Sequence, residues 1–469
     1  MDNNRNKILH GNIRSVLLSL ALPVMAANAI QTLYGLADTF WVSKLTDGEI
    51  AVAAVSFVGP FVGIAISLGI GMNIAGISMI SQFIGLGRER ESRLVAGQLI
   101  SFSFVFSVVL AIIGMFFGKQ LLALTGATDQ VFEYGWEYLK PVFLGGPVLF
   151  VFFAFQSIKQ AQGDTLTPML LAGASVILNI ILDPIFMFTF NLGIAGAAWA
   201  TVVARALSTI AGLYILFSSE SGLRLTPSDL RFNRKVMKKI VKIGLPSGLG
   251  QSTESIGFMI MNGFVLSFGD YTMAAFGIGN RINNLIFMPA MGLGSALGTV
   301  VGQNLGADQV KRATRAVKES ILLSVTIMAV GAIAMFFAAP HIVALFSNHP
   351  VVLEQGTFYL RLISASIPLM GIFQAFVGCF QGSGHTLMAM LVTTGRLWAL
   401  RLPLIVIFKY LTPLAEKSVW YAMVGSNLLT CIFAFFLFLS GRWKQRVVDE
   451  KEDYLGELEL ESVSTDREM

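Results

Sequence analysis

Apolar blocks long enough to cross a bilayer, roughly 20 residues each, recur along this chain from end to end. About twelve can be counted, several separated by only a few polar residues. The pattern predicts helices near 15–42, 51–82, 94–118, 132–158, 168–190 and 194–217 in the first half. In the second half it predicts 240–267, 273–302, 320–340, 356–381, 386–410 and 418–440. The widest polar interruption, SSESGLRLTPSDLRFNRKVMKK (Ser218 to Lys239), falls near the middle. The expected organisation is therefore a six-helix lobe over 1–217, a cytoplasmic linker over 218–239, a second six-helix lobe over 240–441 and an acidic tail over 442–469. The fold class is all-α and polytopic.

The two halves repeat each other. GDTLTPML, beginning at Gly163, aligns with GHTLMAML, beginning at Gly384, and QFIG at Gln82 aligns with QNLG at Gln303. Trp199 pairs with Trp420, and Pro23 in LALP with Pro246 in KIGLP. Several islands at nearly one offset mark a duplication, and periodic self-similarity has to be recognised before the fold is assigned. Six spans are an even number, so both halves enter from the same side and the repeat is parallel. In transporters such repeats place the cargo between lobes that rock past each other.

Composition narrows the picture to a membrane protein. Of 469 residues, 55% are hydrophobic and 13% charged, and mean hydropathy is +0.71. A soluble chain carries about a quarter charged residues. Net charge is +5, with Lys and Arg gathered in alternate loops: Arg5 to Arg14, Arg88 to Arg93, Arg231 to Lys242, Lys311 to Lys318 and Arg442 to Arg446. The positive-inside rule puts both termini in the cytoplasm. Cys379 and Cys431 lie in apolar segments with neither disulfide nor metal spacing. The first apolar run is read as a retained helix, because no small-residue cleavage site closes it. No G-x-x-x-x-G-K-[ST] occurs, which excludes an ATP motor of the P-loop kind.

Ionisable groups inside apolar helices are costly and mark function. In LNIILDPIF, Asn179 and Asp183 are four residues apart and share a helical face. Pro184 cannot donate to the Ile180 carbonyl, so a kink and a freed acceptor are expected there. Asp38 lies in the first helix, with Lys44 near its outer end as an alternative ion-pair partner. If Asp38 and Asp183 share a cavity, their like charges are coupled, and one bound proton or small cation relieves both. Thr201, Tyr138, Gln156 and Gln31 are candidates to line that cavity; for each, an ordinary interhelical hydrogen bond is the alternative. The second half lacks the acid pair, since the positions matching Asn179, Asp183 and Asp38 are Leu400, Leu404 and Met261. It has its own polar set: Gln251, Ser252 and Glu254, then Arg281 and Asn283, then Arg396 and Arg401. Gln251, Glu254 and Arg281 are the candidate second-lobe site; for Glu254 the alternative is an ion pair with an arginine. The glycines of SLGIGMNIAGISM and MGLGSALGTVVG read as points of close helix approach.

The paired lobes, LALP before ADTFWVS, VGQNLGA, QAQGDTLTPM, LNIILDPIF and GIAGAAWATVVA together resemble the multidrug and toxic compound extrusion (MATE) family over about residues 10–445. The resemblance implies twelve helices in two lobes and export of organic cations and other amphipathic compounds against inward H⁺ or Na⁺ flow. It implies cation coupling in the first lobe through Asp38 and Asp183, joined by Asn179 and Thr201 and more loosely by Tyr138. If the ion is Na⁺, then Asp38, Asn179 and Asp183 are its expected ligands; no other cofactor is implied. Some sodium-coupled members pair the seventh-helix acid with an aspartate on the tenth helix, whereas SIPLMGIFQAFVGCFQGSG contains no acid. The expected partners are small organic molecules, cationic ones foremost, and the lipid of the cytoplasmic membrane. Nucleic acid is not expected, and the chain is expected to act as a monomer. Two alternatives stand beside export. One is a flippase for lipid-linked saccharides, which Arg205, Arg281, Arg396 and Arg401 would suit. The other is a membrane enzyme, which the four scattered His disfavour.

Overall fold

The computed structural model describes residues 2–123, 129–218 and 222–448. Most of the acidic tail predicted over 442–469 lies outside the described residues, as do three residues of the linker. The first half contains α1 (Asp2–His10), α2 (Ile13–Val42), α3 (Gly48–Leu86), α4 (Glu89–Ala123), α5 (Asp129–Leu144), α6 (Gly146–Ala161), α7 (Leu166–Pro184) and α8 (Gly193–Ser218). The second contains α9 (Arg234–Leu266), α10 (Asp270–Gly306), α11 (Val310–Ala344), α12 (Pro350–Ser364), α13 (Ile367–Gly382), α14 (Thr386–Thr394), α15 (Leu402–Leu411) and α16 (Lys417–Leu439). No strand occurs among the described residues.

Among these residues nine helices are long and apolar enough to cross a membrane, or eleven counting two bent pairs. The helix α9, 33 residues long, takes the place of the remaining predicted span. Its basic first turns and its Gln251–Glu254 stretch dilute its apolarity. The outer surface is greasy, as lipid requires: Phe116 is 72% exposed and Phe337 73%. A water-soluble fold would bury such side chains. The two bent pairs correct the sequence reading, which ran single helices over 132–158 and 356–381. Helices α5 and α6 meet at 50°, and α12 and α13 at 51°. Glycine at 145 and 146 followed by Pro147 removes helix propensity at the first break. At the second, Ser366 and Pro368 restart the chain.

By packing, the chain forms two compact units. Of the described residues, unit 1 comprises those within 2–6 and 26–248 together with Val448; unit 2 comprises Lys7–Met25 and Leu249–Val447. In unit 1 the linker is fastened to α4. The Gln98 side chain is wholly buried and donates to the Asp229 carbonyl at 3.0 Å and to the Arg231 carbonyl. Its own oxygen accepts from the Asn233 amide at 2.8 Å. Close glycine contacts also set helix spacing there, since Gly71 lies against Gly244 and Gly248.

Unit 2 is centred on α10, the most buried of the nine single spans found among the described residues. Gly294 and Gly298 on α10 face Gly378 and Gly382 on α13 so closely that a methyl group on Gly378 or Gly382 would strike the opposing backbone. Small residues one turn apart on both partners permit this contact. Nearer the start of α10, Phe276 stacks on Trp420, and Tyr359 packs tilted against Trp420 at 4.5 Å between ring centres. Both cysteines are free.

Candidate functional site

The acids of unit 1 converge. Asp38 on α2 is 6% exposed, and Asn179 and Asp183 on α7 are 1% and 0% exposed. One turn apart, Asn179 Nδ2 donates to Asp183 Oδ1 at 2.9 Å and approaches Thr201 Oγ1 of α8 at 3.4 Å. Thr201 in turn donates to the Ala197 carbonyl at 3.1 Å. The Tyr138 hydroxyl of α5 engages the Asp38 carboxylate, and Asp38 and Asp183 lie close enough for their charges to interact. All five residues predicted for the coupling site are therefore assembled in one place. Lys44, the alternative partner for Asp38, instead sits over the Phe40 ring, 5.1 Å from its centre.

Downstream of Asp183 the helix does not break at Pro184. It continues as a single π-helical turn over Ile185–Thr189, closed by the Phe190 amide donating to the Ile185 carbonyl at 2.9 Å. Pro184 has no N–H to give the Ile180 carbonyl, and the widened turn follows directly after it. Helix α8 then packs tightly at Gly196, whose missing side chain leaves room for the Phe186 and Met187 backbone.

Three buried oxygens of this cluster have no hydrogen-bond partner: Asp38 Oδ1, Asn179 Oδ1 and Asp183 Oδ2. Buried acceptors are rarely left unmatched. Three on one cluster are acceptors that a proton donor or a cation could match. Among the described residues no group of three or more His, Cys, Asp or Glu has metal-holding geometry; the polar set here is two carboxylates and one amide.

Two members of the network were not assigned to it from sequence. Tyr34, one turn before Asp38, shares a 2.6 Å hydrogen bond with Thr201, and Arg205, one turn after Thr201, donates to Gln31 Oε1 at 2.9 Å. The four-residue spacing on each helix was the available signal.

In the second half the ion-pair alternative for Glu254 is the one observed. Glu254 of α9 pairs with Arg396, not with Arg281, which lies on an exposed stretch of α10. Gln251 is half-buried on α9. Arg396 belongs to a π-helical segment, Gly395–Arg401, between α14 and α15. That segment docks on α9 through Trp398 Nε1, which donates to the Thr253 carbonyl at 2.9 Å.

Comparison with known proteins agrees with this architecture. The MatE family model matches residues 23–185 and again 246–407, one match in each half. The "Probable multidrug resistance protein YpnP" of Bacillus subtilis is 26% identical over 434 residues, covering 92% of this chain and 96% of that protein. An "FAD transporter" of Shewanella oneidensis is 27% identical over 440 residues, covering 92% and 96%. A solved structure, the outward-facing conformation of a multidrug resistance MATE family transporter of the MOP superfamily, superposes with a TM-score of 0.86 at 27% identity, covering 92% of this chain and 97% of that one. The chain is thus a multi-pass plasma-membrane transporter and not an enzyme, and it belongs to the MatE family of multidrug efflux transporters.

Proposed function

We propose that this protein exports amphipathic organic compounds by antiport, with H⁺ or Na⁺ as the driving ion. The observation that carries the reading is the trio of unpartnered buried oxygens on Asp38, Asn179 and Asp183. A proton would reside on either carboxylate; a sodium ion would be held by these three residues. Ion and cargo need not share atoms. They need only favour opposite conformations of the transporter for one gradient to drive the other. Cations are the foremost cargo, both termini are cytoplasmic, and the chain works as a monomer. A relative named for FAD extends the expected cargo beyond cations. The relatives named above support drug export and lend nothing to the saccharide flippase.

The test is dye efflux from vesicles with a pH gradient or a sodium gradient imposed separately. Antiport requires that one of the two drive export, and that both Asp38→Asn and Asp183→Asn remove the response. Equal export with no gradient would overturn the mechanism.

A further inference from the structure

Unit 2 carries an unbalanced positive charge in its interior. Arg396 is 8% exposed and Arg401 2%. The acid paired with them is Glu254, bonded to Arg396. Arg401 spends its hydrogen bonds on neutral partners: Nε donates to Ser426 Oγ at 3.0 Å and Nη2 to Asn427 Oδ1 at 2.7 Å. The Asn427 amide is itself oriented by donating to Ser366 Oγ at 3.2 Å, so its oxygen stays on the guanidinium. Arginine does not escape burial by losing its proton. Two guanidiniums against one carboxylate therefore leave a net cation in the membrane interior, an arrangement costly enough to need a reason.

Donors without acceptors lie in the same region. Arg396 Nε and the Tyr359 hydroxyl are both buried and unpartnered, and the Arg401 charge acts on both Tyr359 and Arg396. The Arg396 guanidinium is held over the Phe373 ring, 4.7 Å from its centre, which fixes its plane. The chemistry mirrors that of unit 1. There, acceptors await a cation; here, donors and surplus positive charge await an anion. A planar guanidinium fork matches a carboxylate or phosphate in particular.

We propose that Arg396 and Arg401 form an oxyanion site inside unit 2 that takes a carboxylate or phosphate group carried by the transported compound. Cargo then includes zwitterionic and acidic amphiphiles, not only organic cations. Glu254 is the resident counter-charge of this site and competes with the cargo's anion for Arg396.

The proposal takes from the transport reading only that the bound compound is cargo. It is tested by binding to the purified full-length chain in detergent, with no ion gradient, by fluorescence polarisation. Rhodamine B is compared with its ethyl ester, and riboflavin 5′-phosphate with riboflavin. Each pair differs in one anionic group. The acid of at least one pair should bind about ten-fold tighter than its neutralised partner, and which pair responds separates carboxylate from phosphate. Arg401→Gln and Arg396→Gln should reduce the difference to within two-fold. Glu254→Gln should tighten acid binding at least three-fold. If an arginine variant fails to fold, the wild-type pairs and Glu254→Gln still decide. Equal binding within both pairs overturns the site, as does weaker acid binding by Glu254→Gln. Binding of inorganic phosphate alone, with no preference within the pairs, overturns the assignment to cargo. An Asp38→Asn variant that retains gradient-driven export and keeps the acid preference would defeat the coupling reading and leave this one standing.

Discussion

Asn179 donates its amide hydrogen to Asp183 across a single turn of α7, at 2.9 Å, and that bond fixes the polarity of the site. With Nδ2 committed to Asp183 and Thr201, Asn179 Oδ1 is turned away from them and left unmatched, like Asp183 Oδ2. The local helix, not a distant loop, decides that acceptors are what the cavity offers.

Replacing Asp183 or Asp38 with Asn keeps size and removes the exchangeable charge. Each change should reduce drug resistance to the empty-vector level while leaving membrane abundance and melting temperature unchanged, because a neutral amide is easier to bury than a carboxylate. Resistance plates beside expression blots check both parts. Full resistance in both variants would sink the assignment.

Tyr34→Phe removes one neutral hydrogen bond, worth about 1 kcal/mol. Export should survive, with the concentration of driving ion needed for half-maximal rate shifted a few-fold. Initial efflux rates measured across a series of ion concentrations give that shift. A complete loss of export would mean that the Tyr34 hydroxyl itself carries the proton.

Two ion pairs of unit 2 should behave differently. Arg14 and Glu319 meet at 2.6 Å, but Arg14 is 57% exposed, so a double-mutant cycle on melting should give at most about 1 kcal/mol of coupling. Arg396 and Glu254 are largely buried. Truncating Arg396 alone should cost about 3–5 kcal/mol, because the partner is left uncompensated. Comparable coupling in the two cycles would refute the contrast.

Gly378→Ala drives a methyl group into the Gly294 backbone and should destabilise the protein by about 1–3 kcal/mol, as overpacking does. Gly277→Ala on α10 meets nothing within 4 Å. It should be neutral or stabilising by up to about 1 kcal/mol, because alanine is the better helix former. Melting curves of the two variants in one detergent compare them directly.

Much of this protein was legible in its sequence because bilayer thickness and duplication both write long, regular signals. The helix from Gly193 to Ser218 was placed within a residue by apolarity alone. Breaks inside a span were not, since the apolar run passes through Gly145 and Ser366 without interruption. Asp38, Asn179 and Asp183 announced themselves by the cost of their charge or polarity. The Glu254–Arg396 pair was left open between alternatives, because partners 142 residues apart are chosen by packing. Tyr34 went unnoticed because a tyrosine in an apolar helix usually needs no special explanation.

The buried Gln98 side chain bears on how the gene itself can be divided. By bonding to Asp229, Arg231 and Asn233, it makes the connector a fitted part of the amino-terminal fragment. A bicistronic version cut directly after Ser218 would strand an amide with three backbone groups missing, whereas a cut placed beyond Asn233 would leave every one of those bonds within a single polypeptide.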